Sequence, residues 1–240
     1  MKTLFKNPFR YFNWIRNLLN GDYPDDIVLP RLIPFSVRKS VITDSYEKHE
    51  RLIANKLVEP NDCIIELGSG YGIFAAMLYR VKGFQSITCV EGDLEKLKLL
   101  SKTLDLNLPK NIWKVEGKYV AASGSNYGFT KSGRSHHLEQ LDDNKKSIIE
   151  KSQCASLESL LKDRKYNCLV FDIEGLEYEV INIEELKGFG IKKLIFELHE
   201  INGNKNKYLK FLSRLEKEGY KRVEESNDRY GYILNEIHNS

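Results

Sequence analysis

The stretch Cys63-Ile-Ile-Glu66-Leu67-Gly68-Ser69-Gly70-Tyr71-Gly72 constrains this chain more than any other: an apolar run ends in an acid, and three glycines follow at alternate positions. A short apolar run closed by glycine reads as a buried strand. The glycines let the next turn bring backbone against a ligand, because no Cβ intervenes and unusual φ values cost little. A second run, Ile87-Thr-Cys-Val90, ends in Glu91. It lies about 20 to 25 residues further on, the spacing of an acid that receives ribose hydroxyls at the tip of the second strand. Glycines also serve as plain turn residues; the strand before them, Glu66 and Glu91 favour a pocket for a nucleoside cofactor.

Charge narrows the choice of nucleoside. The dinucleotide fingerprint is G-x-G-x-x-G, with a pyrophosphate at the helix N-terminus. Here the pattern is G-x-G-x-G and Ile73 follows it. Glu66 at the mouth of the loop would repel a pyrophosphate but suits the ammonium and sulfonium charges of S-adenosylmethionine. A methyl donor therefore fits better than NAD.

The 240 residues, 41% hydrophobic and 30% charged, suit one globular domain with a sizeable core. The 37 basic and 34 acidic residues nearly cancel to +3, which leaves no large excess for neutralising a nucleic-acid backbone. Cys63, Cys89, Cys154 and Cys168 show no C-x-x-C spacing, and three of them fall inside expected strands. They read as reduced, buried thiols of a cytoplasmic protein. No segment has the run of about 18 apolar residues that a membrane span needs, and no signal peptide is expected.

Residues 1–45 are expected to form an N-terminal helix and an extended segment ahead of a domain at 46–240. Asn7-Pro8 and Asn20-Gly21 bracket a helix near 8–19, with Tyr11, Phe12, Ile15, Leu18 and Leu19 on one face. That face would dock on its own domain; a membrane surface, a partner or a second copy of the chain in a homo-oligomer are the alternatives. Pro24, Pro30 and Pro34 predict an irregular, extended course over 22–43, wrapping the domain or covering a pocket.

From Asp44 the patterns alternate as in a doubly wound sheet. Helices are expected at 44–58, 71–81 and 94–105, and strands at 63–67, 87–91 and 112–116. A polar region from Ser123 to Asn144 follows with short strands at most, then a short strand over Ser147–Glu150 and a helix over Leu157–Leu161 opened by Ser156. The run Cys168-Leu-Val-Phe171 ends at Asp172, and Lys193–Leu198 leads into His199. A helix at 205–218 and strands near 220–224 and 230–234 close the chain.

Open α/β sheets bind ligands at the carboxyl ends of their strands. Three such ends are rich in polar groups: Glu66 with its loop, Asp172-Ile-Glu174-Gly175-Leu-Glu177, and Glu197-Leu-His199. Carboxylates sharing a crevice need a cation, a hydroxyl or a shared proton between them. Glu177 alone is also explained as an acid at a helix start, and His199 as a hydrogen-bonded histidine at a strand end. Asp172 and Glu174 are read as functional. His136 and His137, in a polar loop, read as solvated, with no partner at metal-ligand spacing. Trp113, Tyr127 and Phe129 are aromatic candidates for stacking on a sugar ring.

These motifs in this order, Glu66-Leu-Gly-Ser-Gly-Tyr-Gly72, Val90-Glu91-Gly92-Asp93, Phe171-Asp172-Ile-Glu174-Gly175-Leu-Glu177 and Phe196-Glu197-Leu-His199, resemble the FkbM family of S-adenosylmethionine-dependent methyltransferases. Asp-x-Glu-Gly-x-Glu is the most specific mark, and Ala155-Ser156-Leu157-Glu158 resembles the short segment ahead of it. The resemblance covers about 46–200. Glu66 and Ser69 stand where the family usually has Asp and Ala, and Gly92 replaces a common Pro. The resemblance implies a Rossmann-like class I fold: a mainly parallel seven-stranded sheet with helices on both faces.

It also implies methyl transfer to a hydroxyl of a sugar, as in a glycan, polysaccharide or glycolipid, or of a secondary metabolite. Glu66, Gly68, Ser69, Gly70, Tyr71, Gly72, Glu91, Gly92 and Asp93 would bind the cofactor. Asp172 and Glu174 would contact the acceptor or a divalent ion, Mg or Mn, and His199 would act as base. A nucleic-acid methyltransferase is one alternative; it would be expected to carry an Asn- or Asp-Pro-Pro-aromatic motif and a basic face, and Asp172-Ile-Glu174-Gly175 departs from the first while the near-neutral charge argues against the second. An inactive scaffold partnering a glycosyltransferase and a hydride-transfer enzyme are the remaining readings.

Overall fold

The structure is a computed structural model that describes residues 26–122, 127–132, 135–140, 153–162, 164–199 and 205–235. Helices α1 (Phe35–Ile42) and α2 (Lys48–Leu57) precede β1 (Cys63–Leu67). The chain continues through α3 (Ile73–Lys82), β2 (Ser86–Val90), α4 (Leu94–Asn107) and β3 (Trp113–Glu116). Short β4 (Tyr119–Val120), the hairpin of β5 (Tyr127–Ser132) and β6 (Ser135–Gln140), β7 (Cys154–Ala155) and α5 (Leu157–Leu161) follow. Then come β8 (Cys168–Phe171), α6 (Glu177–Val180), α7 (Ile183–Leu186), β9 (Lys193–Glu197), α8 (Lys205–Lys217), β10 (Tyr220–Ser226) and β11 (Arg229–Leu234). The expected N-terminal helix at 8–19, with its oligomer face, and the strand at 147–150 lie outside the described residues.

One sheet of seven strands has the order β10-β11-β9-β8-β1-β2-β3. The strands from β3 to β9 in that order are parallel, β11 runs against them, and β10, antiparallel to β11, points the same way as the parallel strands. The expected doubly wound, mainly parallel architecture is what the chain adopts. Its parallel strands are apolar on both faces because helices cover both, and successive residues feed opposite layers. Ile65, Leu67, Leu169, Phe171, Leu194 and Phe196 enter the layer completed by α5 to α8. Ile64, Cys168, Val170 and Ile195 enter the layer completed by α2, α3 and α4. Phe171 and Phe196 stack with ring centres 4.7 Å apart and planes 2° from parallel, and Tyr230 and Tyr232 extend the row at 5.5 and 5.8 Å from Phe196. Such pairs add about 0.5–1.5 kcal/mol each beyond burial.

The proline-bearing segment departs from expectation. Extended chain was expected through residue 43, but Pro34 opens α1, its carbonyl accepting the Val37 and Arg38 amides at 3.0 Å. Proline constrains the residue before it and leaves the chain after it free to turn helical. The segment does wrap the domain: Ile27, Leu29, Ile33 and Val41 are buried in the second layer. Asn107 clips it there, accepting the Val28 amide and donating to the Val28 carbonyl, both at 2.8 Å.

The four cysteines are free thiols, with Cys89 and Cys168 buried as expected of strand residues. Among the described residues no helix is long and apolar enough to cross a membrane.

At the amino ends of the strands an ion cluster built on the buried Asp62 and Lys193 ties three elements together. Lys193 Nζ donates to Asp62 at 3.0 and 2.9 Å and to Glu59 at 2.6 Å. Asn167 donates to Asp62 at 2.9 Å and accepts the Cys63 amide at 2.8 Å. Asp62 is 1% exposed, so removing its cation strands a charge out of water. Lys193→Met is expected to cost about 3–5 kcal/mol in urea unfolding, and adding Asp62→Asn should restore a large part of the loss.

Candidate active site

The strand order places β8 beside β1 on the side away from β2, so the sheet's switch point lies between β1 and β8, where ligands bind in such folds. The register Leu67↔Phe171 sets Gly68 against Asp172. Gly68 has φ +83°, and a Cβ there would lie 2.0 Å from the Asp172 carbonyl oxygen, so nothing larger than glycine fits. The loop is self-contained. Gly68 and Ser69 donate their amides to Val90 O at 2.9 and 3.1 Å, Gly72 to Ser69 O at 2.8 Å, and Gly70 to Glu91 Oε2 at 2.8 Å. Because these amides are already engaged, they do not cradle a pyrophosphate, in line with the G-x-G-x-G pattern.

Glu91, at the tip of β2, uses its other oxygen to accept the Asp93 amide at 2.8 Å. Burial pushes its carboxyl up, opposed by these amides. Asp93 caps α4, accepting from the Glu95 and Lys96 amides at 2.8 and 3.3 Å. At Gly92 a Cβ would fall 2.1 Å from the Tyr119 ring, so the ring lies flush against this turn as one wall of the crevice. Glu66 is buried, accepts from Cys89 Sγ at 3.3 Å, and has its carboxyl raised to about 7 by burial.

On the other side of Gly68 the second acid group converges on His199. Its Nδ1 is 3.0 Å from Glu177 Oε1, and its Nε2 is 3.8 Å from Asp172, 3.6 Å from Glu174 and 3.7 Å from Glu197. Burial alone would lower the imidazole pKa, but Glu177, Asp172 and Glu197 push it up to about 9. Burial and the neighbouring carboxylates raise Asp172 to about 6 against the pull of His199, and Glu197 to about 7. Glu174 takes a left-handed φ of +54°, a strained choice for a non-glycine residue and one that clusters at functional sites.

The expected residues thus form two adjoining groups: the glycine loop with Glu66, Glu91, Gly92 and Asp93, and the acids Asp172 and Glu174 with His199. Other residues of the crevice were not expected from the sequence. Tyr46 hangs over the loop, its hydroxyl 3.9 Å from where a Gly70 Cβ would stand. Glu47 enters α2 at φ +42°, and burial followed by the charges of Glu66, Glu50 and Asp172 raises its carboxyl well above the usual range. Arg229 brings a cation, donating to Glu50 and Glu197 at 2.7 Å each. None of these sits in a motif, and only the tertiary fold reveals them. Trp113 is misplaced for sugar stacking: it opens β3 at the amino end of the sheet and packs on the second core layer. The side chains of Tyr127, Phe129, His136 and His137 lie outside the described residues.

A family model described as the methyltransferase FkbM domain matches residues 62–222. No curated protein sequence matches the chain. Among solved structures, a ribosomal protein L11 methylase from Lactobacillus delbrueckii subsp. bulgaricus aligns at 12% identity with a TM-score of 0.49, covering 87% of this chain and 84% of that one. A precorrin-6y C5,15-methyltransferase from Geobacter metallireducens GS-15 aligns at 10% identity with a TM-score of 0.48, covering 88% and 94%.

Glu66 yields a pH-dependent prediction. Its folded pKa of about 7 lies above the 4.5 of a free glutamate, so the fold favours the protonated form, and stability present below 4.5 is lost as pH rises towards 7. Glu66→Gln, which removes the ionisation, is expected to raise the melting temperature of the ligand-free protein at pH 8 by roughly 3–8 °C. At pH 4.5 thermal scans should show little difference.

Proposed function

The chain belongs to the FkbM family of methyltransferases, and on that premise we propose that it transfers the methyl group of S-adenosylmethionine to a hydroxyl of a small-molecule or carbohydrate acceptor, with a sugar the favoured class. The observation that carries this reading is the electrostatic character of the crevice. Glu47, Glu50, Glu66, Asp172, Glu174, Glu177 and Glu197 interact there, while His199 and Arg229 are the cations paired with them. A chain of net charge +3 has gathered negative charge at its switch point. That field suits a sulfonium cofactor and opposes a dinucleotide or a nucleic-acid backbone.

In this reading the adenosyl moiety lies across the glycine loop, with the ribose hydroxyls on Glu91 and the methionine ammonium facing Glu66. Each Glu91 oxygen that accepts one backbone amide retains a lone pair for a hydroxyl. The Tyr119 ring over Gly92 supplies an apolar wall. The acceptor hydroxyl enters from the side of Asp172 and Glu174. Its oxygen attacks the methyl carbon in line with the sulfur, the carbon–sulfur bond breaks, and the sulfur leaves as a neutral thioether. The hydroxyl proton passes to the Asp172–Glu174 carboxylates. The surrounding carboxylates push His199 up to about 9, which favours its imidazolium; in this reading it is the positive charge that lets the carboxylates gather, and the base role first expected of it passes to them.

Calorimetric titration with S-adenosylmethionine, S-adenosylhomocysteine and NAD, with and without magnesium or manganese, tests the cofactor. Both adenosyl ligands should bind and NAD should not; the reverse would overturn the reading. Asp172→Asn is expected to lower the transfer rate by about 10²-fold or more while S-adenosylhomocysteine affinity is retained. Gly70→Val, at φ +54° beneath Tyr46, should abolish cofactor binding.

A further inference from the structure

Glu177 has no part in the transfer just described, yet it is the most completely buried acid of the crevice, with 0% exposure. Its Oε1 accepts the Gly175 amide at 3.1 Å and faces His199 Nδ1 at 3.0 Å. Its Oε2 is sealed from solvent and has no hydrogen-bond partner. A helix-start role does not account for this, because α6 has only four residues and the unpartnered oxygen receives nothing from it. Asp172 Oδ1 is a second buried oxygen without a hydrogen bond. These two acids and His199 each present a ligand atom within 4.8 Å of the other two. Ligands about 2.0–2.2 Å from a divalent ion stand no more than about 4.4 Å from one another. The 4.8 Å within which the three atoms lie is close to that range.

We propose that Asp172, Glu177 and His199 form a binding site for a divalent transition-metal ion of the manganese type. Two carboxylates with one imidazole combine hard oxygen and borderline nitrogen donors, a set that suits manganese better than calcium or magnesium. Glu174 and Glu197, 3.6 and 3.7 Å from His199 Nε2, add negative charge beside the site. Binding displaces the ring proton of His199 to solvent, so the ion supplies two positive charges where the imidazolium supplied one. Three protein ligands leave coordination positions open for an acceptor oxygen.

The site stands on geometry; its role rests on the methyl-transfer reading. There the ion polarises the acceptor hydroxyl, Asp172 holds the ion, and the proton goes to Glu174. The oxygen lone pair forms the new carbon–oxygen bond, and the carbon–sulfur pair stays on sulfur.

The test is uptake of Mn2+ by the chelator-treated full chain, followed by loss of the free-ion electron paramagnetic resonance signal, with S-adenosylhomocysteine binding measured in parallel. Wild type should take up one ion per chain. Glu177→Gln and His199→Gln should bind it at least about tenfold more weakly while keeping wild-type affinity for S-adenosylhomocysteine. A wild type that binds S-adenosylhomocysteine but leaves millimolar Mn2+ free overturns the site, as does uptake unchanged in both variants. If one variant loses its fold, the other decides. Mn2+ uptake that depends on these residues, in a chain that binds no adenosyl ligand, keeps the site and overturns the methyl-transfer reading instead.

Discussion

The contact between Gly68 and the Asp172 carbonyl underlies both the sheet and the crevice. It exists because β1 and β8 pair in parallel with Leu67 opposite Phe171, so the residues leaving the two strands are adjacent. With no side chain at Gly68 the strand ends close to hydrogen-bonding distance, the Asp172 amide donating to Leu67 O at 3.1 Å. The glycine loop is thereby aimed one way and the acids of the second motif the other. Two binding surfaces meet at a single residue without Cβ.

Collecting so many carboxylates in one place works against folding. Like charges in a partly dehydrated crevice raise one another's proton affinity, and the fold meets this with partial protonation, one imidazolium and one guanidinium. The opposite end of the sheet is built on the reverse principle. There Lys193, Asp62, Asn167 and Glu59 satisfy one another closely. Stability is concentrated at the amino ends of the strands and unsatisfied charge at the carboxyl ends, with the aromatic row of Phe171, Phe196, Tyr230 and Tyr232 between them. An enzyme needs tension of this kind where it binds, and a stiff layer beneath to hold the groups apart.

Much of this was legible because apolar runs with abrupt polar ends leave little freedom. Cys63–Leu67, Leu157–Leu161 and Cys168–Phe171 have the boundaries expected of them. The glycine loop and the Asp-x-Glu-Gly-x-Glu motif were readable because each combines a backbone requirement with a charge. Tyr46, Glu47, Glu50 and Arg229 were not, since each is ordinary in its own neighbourhood and acquires meaning only through partners far along the chain. Helix α1 was hidden by Pro34, which disfavours helix at the residue before it but stands here at the cap of the helix that follows it. Glu177 was undervalued for a related reason: an acid at a helix start has a sufficient local explanation, and its complete burial is a property of the packed core.

Arg229 opens the last strand, and because β11 runs antiparallel to β9 its first residue arrives at the carboxyl ends of the parallel strands. The cation that links Glu50, from the second helix, to Glu197, from the fifth parallel strand, is therefore supplied by a segment synthesised after both of its partners. Until then a nascent chain holds the acids without that partner, and chains fold as they are made. Completion of the crevice waits on β11: a chain cut short before Arg229 carries the glycine loop and both acid motifs but lacks the guanidinium that links Glu50 to Glu197.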